Sequence, residues 1–136
     1  MKKLLIPAII GLALVAAALG GCGKTPQGST TGGGGGCSNG TVDMTDINFA
    51  IHTCTIKAGS KLTLSDPTAG GGIHFICFGT NQKCAANADG PTELNSTGNG
   101  VQFNPGDSKS YTFAKAGTYQ ITCTVHPAMD LTLTVQ

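Results

Sequence analysis

The segment Asp130-Leu131-Thr132-Leu133-Thr134-Val135-Gln136 places an apolar side chain at every second position. A period of two fits a strand with one buried face and does not fit a helix, whose apolar positions recur every three to four residues. The period returns at Leu62 and Leu64, at Tyr111 and Phe113, and at Tyr119, Ile121, Cys123 and Val125, which alternate with Gln120, Thr122 and Thr124. Ile47, Phe49 and Ile51 alternate in the same way. Turn signals divide these runs at Ala58-Gly59-Ser60, Asn104-Pro105-Gly106-Asp107 and Lys115-Ala116-Gly117. After residue 40 no stretch sustains a helical period, so seven or eight short strands are expected to pack as an all-β sandwich. The stretch from Gly79 to Gly100 is rich in Asn and Gly and poor in apolar residues, and reads as a long surface loop with one helical turn.

The first 36 residues stand outside that pattern. Lys2 and Lys3 precede an apolar run from Leu4 to Leu19 that Pro7 interrupts. The run is short for a membrane span, which needs ~20 residues, and suits the apolar region of a signal peptide. Leu19-Gly20-Gly21-Cys22 resembles a bacterial lipobox, which implies a signal peptide over residues 1–21 and a lipid on Cys22. A cut near Ala16-Ala17-Ala18, leaving Cys22 as an odd thiol, is the alternative. Residues 22–36, with the run Gly32 to Gly36, offer almost nothing to bury and read as a flexible tether. No Lys-Ser/Thr pair follows the glycines, so they are not a phosphate loop. Residues 37–136 then form one small domain with one core. Six Lys against seven acids after Cys22 leave a formal charge of −1, which excludes the basic patch of a nucleic-acid binder.

The chemistry is concentrated in Cys123-Thr-Val-His126-Pro-Ala-Met129. A thiolate, an imidazole and a thioether within seven residues are a ligand set for copper in both of its common oxidation states. Alternation puts Cys123 on the core face of its strand. Upstream, in Ile73-His74-Phe75-Ile76, His74 shares a face with Ile76 and Phe78 and points inward. Two His and one Cys in a plane with a weak axial Met form a blue-copper electron-transfer site. Pro127 fixes its own φ and stiffens the loop. His52 beside Cys54 is read as an ordinary strand side chain, and Met44 has no ligand context.

The segment Gly117-Thr-Tyr119-Gln-Ile-Thr-Cys123-Thr-Val-His126-Pro127-Ala-Met129 resembles the C-terminal copper loop of the cupredoxins, the type 1 blue copper proteins, and among them the amicyanin, pseudoazurin and plastocyanin group. The likeness spans roughly Val42 to Gln136. It implies a Greek-key β-sandwich, and one copper ion held by His74, Cys123, His126 and Met129, since a binuclear site would need a second Cys in the loop. It implies no enzyme but a monomeric one-electron carrier. An apolar patch around a rim-exposed His126, including Pro127, Ala128 and Gly70 to Gly72, would meet redox partners such as a cytochrome, oxidase, reductase or dehydrogenase. The lipid on Cys22 would hold it to a membrane, facing the periplasm or the cell exterior. The alternative reading is a periplasmic copper chaperone or store, which a chain with three Met fits poorly. Two departures stand out. Phe75 occupies the place where many relatives have an Asn that bonds toward the Cys loop, and Asp130-Leu131 replaces a basic residue and Gly.

Setting Cys22 and Cys123 aside leaves Cys37, Cys54, Cys77 and Cys84, an even number in an exported chain, with three possible pairings. Cys37–Cys54 with Cys77–Cys84 is preferred because both bridges are local. Pairing also keeps these thiols from competing for the metal.

Overall fold

The computed structural model describes residues 37–96 and 98–136; the expected signal, the tether and Cys22 lie outside the described residues. Among the described residues nine strands form: β1 Thr41–Asp43, β2 Thr53–Ile56, β3 Lys61–Ser65, β4 His74–Thr80, β5 Lys83–Cys84, β6 Val101–Phe103, β7 Ser108–Thr112, β8 Gly117–Cys123 and β9 Asp130–Val135. Short 3-10 turns lie at Ser38–Gly40 and Thr92–Leu94. One sheet runs β1-β3-β7 and the other β2-β9-β8-β4-β5, with β6 also pairing β4. β1 with β3 and β2 with β9 are parallel pairs; the others are antiparallel.

The period of two becomes the layer between the sheets. Leu62 and Leu64 of β3, Ile121 of β8, and Leu131 and Leu133 of β9 are fully buried, while their polar neighbours face outward or lie at the margin, except Thr122, which is buried. Phe78, Phe113 and Tyr119 meet with ring centroids 4.9–6.2 Å apart. The Tyr119 hydroxyl donates to the Lys115 carbonyl at 2.8 Å, pinning the turn before β8.

Three local expectations change. Ile47, Phe49 and Ile51 do not form a strand: Phe49 makes a single bridge to Met44, and Ile47 is exposed. Thr45 and Asn48 close a tight turn instead, with Asn48 N–H donating to Thr45 Oγ1 and Thr45 N–H to the Asn48 carbonyl. Such side-chain bonds give the backbone an alternative to a sheet ladder. Val125 does not share the buried face of Cys123, because β8 ends at Cys123 and the alternation ends with it; Val125 is exposed. The stretch after Gly79 is less irregular than expected: it holds the short β4–β5 hairpin and a turn whose Leu94 is fully buried.

Candidate metal centre

β4 and β8 lie side by side with Ile76 opposite Cys123. His74 therefore continues the inward face of β4 just beyond the end of β8, flanked by β6 through its pairing with Phe103. Past Cys123 the chain leaves the sheet and returns as β9. Cys123 N–H donates to the Met129 carbonyl at 3.0 Å, closing the loop at its base, and Thr124 N–H donates to the Phe75 carbonyl at 2.9 Å. At the tip Met129 N–H reaches the His126 carbonyl, and Ala128 turns the chain at φ 62°. A residue with a Cβ rarely takes that φ, and here it accompanies the turn from His126 into β9.

The result is a convergence of three donors. His74 Nδ1 and His126 Nδ1 are 3.1 Å apart, and the Cys123 Sγ lies 4.0 and 3.6 Å from them. The point equidistant from all three lies about 2.1 Å from each, within the ~2.0–2.3 Å that a first-row ion takes to imidazole nitrogen and thiolate sulfur. The donor set and its spacing thus fit one transition-metal ion. His74 and Cys123 are fully buried and His126 is half-buried. Burial holds the His74 imidazole below its usual pKa, opposed by the Asp66 carboxylate and reinforced by His126. The neutral ring keeps a lone pair for a metal. Met129, which the loop sequence singled out, is fully buried in the apolar cluster beneath the loop.

The loop is tied from the side. The Gln82 amide donates to the Thr124 carbonyl at 3.2 Å, Gln82 N–H to Thr122 Oγ1 at 3.2 Å, and Thr124 Oγ1 to the Asn99 carbonyl at 3.0 Å. These bonds link the Cys loop to its surroundings where Phe75 has no polar side chain to offer. The hairpin that carries Gln82 is bridged by Cys77–Cys84, and Cys37–Cys54 joins the segment before β1 to β2. Cys123 is the free cysteine among the described residues. His52 lies away from the site, with Nδ1 3.0 Å from the Asp130 carbonyl.

One residue at the site escaped the sequence reading. Asp66, directly after β3, is 1 % exposed, and its carboxylate lies 4.0 Å from His74 Nε2. Burial raises its carboxyl above the usual range, with His74 acting in the opposite direction. Its phase was visible: Leu62, Leu64 and Asp66 fall on one face, and an acid in a core phase is a signal.

The family model described as copper binding proteins, plastocyanin/azurin family, matches residues 37–136. A search of curated proteins gives no match. Among solved structures the chain is similar to a reduced amicyanin variant, at 25% identity and TM-score 0.53 over 71% of this chain and 80% of that one. It is similar in fold to amicyanin from Paracoccus versutus, at 20% identity and TM-score 0.51 over 71% and 79% of the two chains. The same holds for a purple cupredoxin from Nitrosopumilus maritimus, at 18% identity and TM-score 0.52 over 71% and 98%.

Proposed function

Because the chain belongs to the plastocyanin/azurin family of copper-binding proteins, we propose that it is a one-electron carrier, with His74, Cys123 and His126 as the planar ligands of one copper ion and Met129 as the axial one. The observation that carries this is the triangle of Nδ1, Nδ1 and Sγ atoms, sized for a single ion and built from a soft sulfur and two imidazole nitrogens. Copper bound there supplies a one-electron couple between its two oxidation states. The protein supplies fixed positions: two donors sit on adjacent strands and the third on a loop bonded at base, tip and side. A frame that does not move on changing oxidation state keeps the barrier to electron transfer low. Cys123 is shielded from solvent oxidants, and half-buried His126 is the route between the buried site and the surface.

The surface beside His126 suits a brief encounter. Ile73 and Val125 are exposed large apolar residues close in sequence to the ligands, and Pro127 and Ala128 are exposed as well. Small apolar contacts of this kind fit transient redox complexes. The partners would be redox proteins, with the carrier held to a membrane by a lipid on Cys22 and facing the periplasm or cell exterior. Mass spectrometry of the mature protein tests the lipid: a first residue other than acylated Cys22 would remove the anchor from this reading.

A copper store is the second reading, and the buried Cys123 and His74 weigh against it, since a site that hands on its ion needs open access. The test is to add one equivalent of Cu(II) to the full chain and record the visible spectrum before and after reduction. An intense thiolate-to-copper band is expected, lost on reduction, restored on oxidation and missing in Cys123→Ser. Copper bound tightly with no such band would favour a store.

A further inference from the structure

The buried carboxylate of Asp66 has no role in the ligand set, yet the fold goes to some length to hold it there. Its backbone is clamped on both sides, with Asp66 N–H donating to the Asp107 carbonyl and Gly106 N–H to the Asp66 carbonyl, both at 2.8 Å. The turn before β7 thus fixes the end of β3. Gly71 passes so close that a Cβ there would lie 2.2 Å from Asp66 Oδ1, so only glycine leaves room for the carboxylate. Neither Asp66 oxygen makes a hydrogen bond of good geometry, although the Gly72 backbone N–H lends the carboxylate some support, and His74 Nε2 makes none either. The Thr45 backbone carbonyl also favours the ring N–H, by less than Asp66 does. An unpaired buried carboxylate costs several kcal/mol unless a positive group compensates it.

His74 is the polar group that faces this carboxylate, and its two nitrogens point to different neighbours. Nδ1 faces Cys123 and His126, and Nε2 faces Asp66. We propose that Asp66 is the positioning residue of the metal centre: its carboxylate holds His74 as the Nε2–H tautomer, leaves Nδ1 free for copper, and favours Cu(II) over Cu(I) through its negative charge. This rests on the copper reading above. The physical basis is general. A ligating imidazole that donates its other N–H toward a carboxylate is oriented by it and made a stronger donor, and a nearby anion stabilises the more highly charged metal. Asp66 directly follows β3 of the β1-β3-β7 sheet and His74 opens β4 of the other, so the contact runs between the two sheets beside the ligand cluster.

The test is Asp66→Asn in the full chain, which keeps shape and an acceptor oxygen but removes the charge. Wild type must first show the thiolate-to-copper band; its absence there defeats the copper reading, whatever the variant does. With the band present, Asp66→Asn is expected to keep it while Cu(II) affinity falls about 10–100-fold and Cu(I) affinity falls less. Each tenfold difference between the two losses raises the reduction potential by ~59 mV. Equal affinity losses with an unchanged potential would overturn the proposal, because a purely structural residue lowers stability without distinguishing oxidation states. Should the variant not fold, 15N NMR of copper-free wild type decides the matter. A proton on His74 Nε2 is expected, and one on Nδ1 overturns the proposal.

Discussion

Tyr111 shows how one side chain can carry a measurable cost. It is 5 % exposed, and its hydroxyl oxygen is buried without a hydrogen-bond partner. Burial first and Glu93 second push its pKa up from 10.0 to about 12. The unfolded chain loses the phenolic proton at lower pH than the folded one, so stability is complete below pH ~10 and declines as pH rises toward ~12. Chemical denaturation across that range should show a steeper loss in wild type than in Tyr111→Phe. At pH 7 the variant should be as stable or more stable by up to ~1 kcal/mol, since it removes an unpaired hydroxyl. A loss above 1 kcal/mol at pH 7 would mean the hydroxyl has a partner in solution. The residues proposed for the metal centre differed in how legible they were. Cys123, His126 and Met129 are close in sequence, so their spacing alone suggested one ion. His74 needed the strand phase as well. Asp66 needed the packing of one sheet on the other, which local pattern does not specify, and its core phase was the one trace of it.

The β4–β5 hairpin is the element on which the loop leans. Asn81 and Gln82 take positive φ, which lets the two-residue turn close and aims the Gln82 amide at the Thr124 carbonyl. The Cys77–Cys84 bridge, spanning a sequence separation of 7, contributes about 2–3 kcal/mol by restricting the unfolded chain. Gln82→Ala is expected to cost about 1 kcal/mol in denaturation of the copper-free protein and to speed amide exchange from Val125 to Met129. Unchanged exchange would show that the loop's own turn is what keeps it rigid. Elements read from alternation alone held where a sheet neighbour exists, as in β3, β8 and β9. They failed at Ile47 to Ile51, where Thr45 and Asn48 satisfy the backbone locally. A period of two is necessary for a half-buried strand, but a partner edge is also required, and sequence alone does not supply one.

At the scale of the domain the ligand cluster ties β4 to β8 and to the loop that leads into β9, so an ion there should stabilise the fold as a whole. An ion that binds only the folded state contributes about 2.7 kcal/mol at a free concentration one hundred times Kd. Calorimetry should therefore show a Tm several degrees higher with copper than without, and no such gain in Cys123→Ser. An equal gain in that variant would place the ion elsewhere. The order of the strands also bears on how the molecule is made. β9 follows every other described strand in the chain, yet in the sheet it sits between β2 and β8. While the chain is being made, the sheet lacks the strand that joins β2 to β8 until β9 arrives. Cys37, Cys54, Cys77 and Cys84 all emerge before Cys123, and each has its partner among them. Both bridges can therefore close before the ligand thiol has been made, so that Cys123 meets no unpaired thiol among these four.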